Sequence, residues 1–121
     1  MRLTNLNAKD WLLKNGYNDV WLKPHYKFNN IVYTNNGTYE AQDIFNLHDG
    51  ICKGDNEYIY LQVSTDKLHG KTEYVEESKK FNITVMLLAP KKKDKESKDY
   101  VGISIVLIRN GEIIDEGFYE Y

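Results

Sequence analysis

Residues 49–67 read DGICKGDNEYIYLQVSTDK and carry the pattern of two strands joined by a tight turn. An aspartate opens a short apolar run, Lys-Gly-Asp-Asn follows, and apolar and polar residues then alternate through Tyr-Ile-Tyr-Leu-Gln-Val-Ser. Alternation with a period of two puts successive side chains on opposite faces of a strand, and glycine with asparagine suits the backbone of a tight turn. The stretch therefore predicts an antiparallel strand pair.

The chain before this pair predicts a helix and short strands. LTNLNAKDWLLKNGY begins with capping residues, spaces its apolar residues as a helix does and ends on Asn15-Gly16, which predicts a helix over about residues 5–15. DVWLKPHYKF looks extended up to Pro24. IVYT lies between two asparagine-rich turns and predicts another short strand.

The chain after the pair predicts a helix, a buried strand and a hairpin. DKLHGKTEYVEESKKF suits a surface helix that ends near Lys80, and the almost uniformly apolar NITVMLLAP suits a central strand covered on both faces. KKKDKESKD reads as a charged loop, and Asn110-Gly111 as the turn of a hairpin. This order predicts an α/β (α+β) fold, with a central mixed β-sheet flanked by helices.

The composition is that of one ordinary globular domain over residues 1–121. With 41% hydrophobic and 28% charged residues, the chain can bury a modest core and is not expected to be disordered. The formal net charge of −2 does not by itself indicate nucleic acid. The single cysteine, Cys52, excludes an intramolecular disulfide and fits a buried position in a reducing compartment. Since no apolar stretch approaches the ~20 residues that cross a bilayer, and the start lacks the apolar centre of a signal peptide, we expect an intracellular protein without a membrane partner.

Asp49 and Gln62 are the first candidates for a chemical site. Asp49 begins one strand and Gln62 lies near the end of the next, so an antiparallel pair brings them together, and Ser64 shares the face of Gln62. A carboxylate and an amide oxygen that converge can hold Mg²⁺, which takes oxygen ligands and can activate water against a phosphodiester. In the alternative, Asp49 makes an Asx-turn with Gly50, and Gln62 and Ser64 are solvent-facing strand residues.

Residues 42–65, QDIFNLHDGICKGDNEYIYLQVST, resemble the core of the PD-(D/E)xK nuclease superfamily, which includes restriction enzymes and archaeal Holliday-junction resolvases. They are more closely similar to small phage and archaeal-virus nuclease-like proteins, whose core reads Asp-hydrophobic-Phe, hydrophobic-x-Asp, a turn, then hydrophobic-Gln-Val-Ser/Thr. WLLKNGY also resembles the first element of resolvase-like domains, so the resemblance covers about residues 5–90.

The resemblance implies a restriction-endonuclease-like core, here followed by a C-terminal β-hairpin. It further implies a metal-dependent DNA endonuclease that uses Mg²⁺ or Mn²⁺, acts on branched or viral DNA and needs no organic cofactor. A homodimer in the cytoplasm, or in the host cytoplasm for a viral protein, would be expected.

Carried over residue by residue, the resemblance makes Asp49 the metal-binding aspartate and sets Gln62 where the family usually has glutamate. Ser64 stands at the position of the lysine whose ammonium orients or helps deprotonate the attacking water, and a serine cannot supply that charge. Lys67, three residues on, is the first candidate to replace it. Lys71 and Lys80 of the next helix are the alternatives.

Family members often take a further metal ligand from the first helix, where this chain has only Asp10. Glu40 and Asp43 are the alternative suppliers, and Asp43 belongs to QDIF, which itself matches the small nuclease-like group; Asp43 could instead cap a turn. The predicted catalytic residues are thus Asp49, Gln62, Ser64 and Lys67, and the predicted metal ligands are Asp49, Gln62, Asp43 and Glu40.

Two further hypotheses stand beside the nuclease. In the first, the chain has a nuclease-like fold without catalysis and binds nucleic acid or protein, as a viral inhibitor of host defence would; Ser64 favours this hypothesis. In the second, the chain is an unrelated α+β domain and the match to the nuclease core is accidental.

His25, His48 and His69 show no ligand spacing, although His69 follows the motif and could contact phosphate. The run KKKDKESK is either a solvated loop or a sequence-independent contact for a nucleic-acid backbone.

Overall fold

A computed structural model of the chain describes residues 3–22, 31–34, 37–40 and 49–121, with only the backbone described for 31–34 and 37–40. The described elements are α1 (Leu3–Lys14), β1 (Asn18–Leu22), β2 (Ile31–Thr34), β3 (Gly37–Glu40), β4 (Gly50–Lys53), β5 (Tyr58–Val63), α2 (Lys71–Phe81), β6 (Thr84–Lys92), β7 (Tyr100–Arg109) and β8 (Glu112–Glu120).

Six of the strands form one mixed sheet in the order β1, β4, β5, β6, β7, β8, while β2 and β3 pair separately. Within the larger sheet β5 and β6 are parallel, and the other neighbours are antiparallel. Parallel strands cannot be joined by a tight turn, and α2 supplies the long connection between β5 and β6. The predicted strand pair of residues 49–67 is confirmed as β4 and β5, with Ile51 opposite Tyr60.

Each face of the sheet is covered by one helix. The core on the α1 face and the core on the α2 face share strands β5, β6 and β7, whose alternate residues point to opposite sides. The first seven residues of β6, Thr84–Pro90, are all buried. The prediction of a central strand covered on both faces is therefore confirmed, as is the coarser prediction of a mixed sheet flanked by helices.

Local sequence signals predicted the turn of the last hairpin but not the start of the first helix. The hairpin of β7 and β8 turns at Asn110 and Gly111, both with positive φ (49° and 82°), as a primed two-residue turn requires. The first helix begins at Leu3, two residues before its predicted start, and its Thr4 hydroxyl lies 3.0 Å from the Thr65 hydroxyl and 2.8 Å from that of Tyr100. Tertiary bonds to two distant parts of the chain thus hold the first turn of α1.

The pattern of IFNLHDGICK also predicts that the first strand of the pair starts at residue 44; residues 41–48 lie outside the described part, which begins that strand at Gly50. One sequence-based boundary was wrong. Strand β6 continues to Lys92, so the first two lysines of the predicted charged loop belong to the sheet, because β7 pairs with β6 as far as Lys92. Neither described helix is long and apolar enough to cross a membrane.

Candidate functional site

Asp49 lies immediately before β4 and is bonded to β5 through both its backbone and its side chain. Its N–H donates to the Leu61 carbonyl at 2.7 Å, and its Oδ2 accepts the N–H of Val63 at 2.8 Å. The residue is only 6% exposed, so the carboxylate makes this bond away from bulk water. Asp49 therefore closes the end of the β4–β5 pair, a structural role that the sequence did not predict.

Gln62 lies on the α2 face of β5. The regular register ends with Gly50 opposite Leu61, and the Asp49 N–H bonds to the Leu61 carbonyl instead of continuing the pairing to Gln62. The predicted meeting of the Asp49 and Gln62 side chains stays a prediction. The Oε1 of Gln62 accepts a hydrogen bond from the Tyr74 hydroxyl of α2 at 3.0 Å. Gln62 is half-buried, and this bond joins its side chain to α2.

Ser64 follows β5 and extends its pairing with β6, since its N–H donates to the Leu88 carbonyl at 2.9 Å. Its side chain is half-buried, and alternation along the chain puts it on the face of Gln62. The position that the family gives to lysine thus carries a small hydroxyl beside α2.

The three candidate replacement lysines differ in their surroundings. Lys67 is exposed in the turn after β5, where its N–H donates to the Thr65 carbonyl at 2.8 Å. Lys71 forms an ion pair with Glu116 of β8 at 2.8 Å. The Nζ of Lys80 lies 5.5 Å from the ring centre of Phe81, at the far end of α2. Lys71 and Lys80 are engaged elsewhere, and Lys67 is the candidate that keeps an exposed ammonium near Ser64 in the chain.

The predicted magnesium ligands are divided between described and undescribed residues. Glu40 ends β3 with its side chain outside the described part, and Asp43 lies outside the described residues altogether. Among the described residues, no three or more His, Cys, Asp or Glu side chains are placed to hold a metal ion together. Asp49 Oδ2 and Gln62 Oε1 each accept one hydrogen bond within the protein. Ligation of Mg²⁺ by all four residues stays a prediction.

His69 is exposed in the loop before α2, and His25 and His48 lie outside the described residues.

No family model matches this chain, and no match to it was found among the curated proteins or the solved structures. The nuclease roles of Asp49, Gln62 and Ser64 therefore stay predictions.

A second polar cluster, which the sequence did not predict, joins three strands at the opposite end of the sheet. Glu57, just before β5, accepts hydrogen bonds from the Arg109 Nε at 3.1 Å, from the Arg109 Nη2 and from the Thr84 hydroxyl. Burial raises the pKa of Glu57, but the bonds from Arg109 and Thr84 outweigh it, and the pKa is lowered overall. Cavities of 210 and 400 Å³ border this cluster. Only the register of the three strands, in which Thr84 lies between Ile59 and Arg109, could have revealed it.

Proposed function

We propose that this chain is a nuclease-like domain that binds nucleic acid without cleaving it. A mixed sheet with one helix on each face is compatible with the restriction-endonuclease-like core that residues 42–65 resemble. The observation that carries the proposal is Ser64, a half-buried hydroxyl on the face of Gln62 where a nuclease needs an ammonium group.

The bonding of the neighbouring polar groups supports the same conclusion. The Asp49 carboxylate accepts the Val63 N–H, and the Gln62 amide oxygen accepts the Tyr74 hydroxyl. Both groups therefore stabilise the contact between β4, β5 and α2. Lys71, which could otherwise reach the site from α2, is paired with Glu116.

Incubation of the chain with end-labelled DNA tests the absence of cleavage. Linear duplex, single-stranded and four-way-junction DNA are each incubated with Mg²⁺ or Mn²⁺ and resolved on a denaturing gel. We expect full-length strands with the native chain and with Asp49→Ala alike. Cleavage by the native chain that disappears in Asp49→Ala would overturn the proposal.

A metal-dependent DNA endonuclease is the second candidate, and the position of Asp49 just before β4, at the end of the β4–β5 pair where Gln62 lies, favours it. In this account Asp49 and Gln62, with Asp43 and Glu40, would hold Mg²⁺ or Mn²⁺. The ion would supply an activated water and charge neutralisation at the phosphodiester. The exposed Lys67 would have to bring its ammonium to the reacting water.

Metal binding separates the two candidates without reference to activity. Titration of free Mn²⁺, followed by its electron paramagnetic resonance signal, should show one tight site in a nuclease, and Asp49→Asn and Asp43→Asn should each weaken it. The non-catalytic proposal expects no such site, or one that neither substitution changes.

A further inference from the structure

Two loops are joined at the end of the sheet where Ser64 lies. The first, residues 64–70, follows β5, and the second, residues 93–99, connects β6 to β7. The N–H of Asp66 donates to the Pro90 carbonyl at 3.0 Å, and its Oδ1 accepts the N–H of Lys92 at 2.8 Å. Asp66 therefore fixes the first loop to the strand that leads into the second.

The second loop has its own internal hydrogen bonds. The Lys93 N–H donates to the Asp99 carbonyl at 3.0 Å and closes the loop at its base. The Asp94 Oδ1 accepts the Glu96 N–H at 3.0 Å, and the Ser97 hydroxyl oxygen accepts the Asp99 N–H at 2.9 Å. The hydrogen bonds of Asp94 and Ser97 thus fix the conformation of the loop that carries the lysines.

The lysines of this region are in local excess, and all but the half-buried Lys92 are exposed. Residues 91–99 contain five lysines and three acidic residues, in a chain whose formal net charge is −2. The ion pairs among the described residues engage Lys53, Lys71 and Arg109, and none of them involves a lysine of residues 91–99. The opposite end of the sheet also has exposed lysines, but Arg109 is paired there with Glu57 and Lys53 with Asp19. Residues 91–99 therefore carry a local excess of two positive charges.

This positive charge adjoins the face that carries Gln62 and Ser64. Gln62 pairs with Leu87 of β6, which belongs to the core on the α2 face. Lys91 lies four residues beyond Leu87 in the same strand, so it is on the same face and roughly 13 Å along the strand. Lys91 therefore lies on the face of the sheet that carries Gln62 and Ser64, beyond the end of β5.

We propose that the lysine surface, defined as residues 64–70 and 91–99, binds the phosphate backbone of nucleic acid without regard to sequence. This inference rests on the proposed function and identifies the surface that would carry it. Duplex DNA presents a negative charge about every 1.7 Å of helix axis, and lysines that contact phosphates release its counterions. Such contacts position the nucleic acid and carry no sequence information.

The test compares two variants that each lose three positive charges. Lys93→Gln, Lys95→Gln and Lys98→Gln are combined to neutralise the second loop. Lys14→Gln, Lys53→Gln and Lys79→Gln are combined as the control, because these exposed lysines lie toward the opposite end of the sheet. Binding of a fluorescein-labelled 20-base-pair duplex is followed by anisotropy between 50 and 200 mM NaCl.

We expect the loop variant to bind at least about tenfold more weakly at 50 mM salt. Its slope of log K against log salt should be shallower by about 0.9 for each phosphate that the variant no longer neutralises. The control variant should keep the affinity and slope of the native chain to within about threefold. Circular dichroism of both variants checks that the fold is retained.

The results of this test distinguish a failure of the proposed function from a failure of the lysine surface alone. If the native chain does not bind the duplex at 50 mM salt, the proposed function and the lysine surface both fall. If the native chain binds and the loop variant binds equally well, only the lysine surface is wrong. Equal weakening of the two variants would show a diffuse charge effect and would also overturn it.

Discussion

Asp49 illustrates how a residue matched to a catalytic motif can have a structural role. Its carboxylate is buried against β5, where the N–H of Val63 donates to it. A buried backbone donor needs an acceptor, and a charged acceptor makes the stronger bond. The chemistry expected of Asp49 in a nuclease would have to coexist with this bond.

Replacing Asp49 should therefore affect stability. Asp49→Ala leaves the Val63 N–H without its acceptor, and we expect the free energy of unfolding to fall by about 1–3 kcal/mol. Asp49→Asn keeps an oxygen acceptor but removes its charge, and we expect a smaller decrease of about 1 kcal/mol. Urea unfolding followed by tryptophan fluorescence measures both values. An Asp49→Ala chain as stable as the native one would contradict the structural role.

Cys52 provides a second prediction at the scale of a residue. It is 1% exposed in the core on the α1 face, and burial raises the pKa of its thiol from 9.0 to about 12. The reactive thiolate is therefore scarce at neutral pH. We expect negligible reaction with Ellman's reagent in native buffer at pH 8 and complete reaction in urea. Rapid reaction of the native protein would show that the site is open.

The raised pKa of the Cys52 thiol also determines how the stability of the fold changes with pH. The unfolded chain loses this proton near pH 9 and the folded chain near pH 12. The contribution of Cys52 to stability is thus complete below pH 9 and disappears as the pH rises toward 12. In a Cys52→Ala variant, this part of the alkaline decline in the free energy of unfolding should be absent.

At the scale of the elements, β1 and β4 approach closely at Gly50. A Cβ atom on Gly50 would lie 2.1 Å from the Trp21 carbonyl oxygen, which belongs to the backbone of β1 and cannot move alone. We expect Gly50→Ala to lower the free energy of unfolding by about 1–3 kcal/mol, as overpacking does. Gly117→Ala is the matched control, since its Cβ would have only an ordinary contact at 3.9 Å with the Tyr119 ring. Equal stability of the two variants would contradict the described pairing of β1 with β4.

Local sequence signals predicted most of the elements. Asn110-Gly111 indicated the hairpin turn, and the uniform apolar run of β6 indicated a strand covered on both faces. The position of Gly50 against β1 and the start of α1 were not predictable, because each depends on contacts between residues distant in the chain.

The predicted site stays a prediction, and the structure adds bonds that the sequence did not show. Spacing predicted that Asp49 and Gln62 meet across the strand pair, whereas the regular register ends at Gly50 and Leu61. Their hydrogen bonds to Val63 and Tyr74 were not visible in the sequence, since one partner is a backbone group and the other lies on α2. The catalytic alternative needs an ammonium group at the site, which Lys67 could supply and Ser64 could not.

At the scale of the whole molecule, residues 91–99 carry a local excess of positive charge near Ser64. The ion pairs among the described residues engage Lys53, Lys71 and Arg109 and none of the lysines of residues 91–99. A local excess of this kind favours binding of a polyanion at this end of the sheet, despite the net charge of −2. The homodimer implied by the resemblance stays a prediction.

One measurement tests the central claim, binding of nucleic acid without cleavage, in a single sample. The native chain is titrated into a fluorescein-labelled duplex with Mn²⁺ present, the anisotropy is recorded, and the same DNA is then run on a denaturing gel. We predict a saturable rise in anisotropy at 50 mM NaCl, weaker binding at 200 mM, and strands of unchanged length throughout. Shortened strands, or an anisotropy that never rises, would contradict the account.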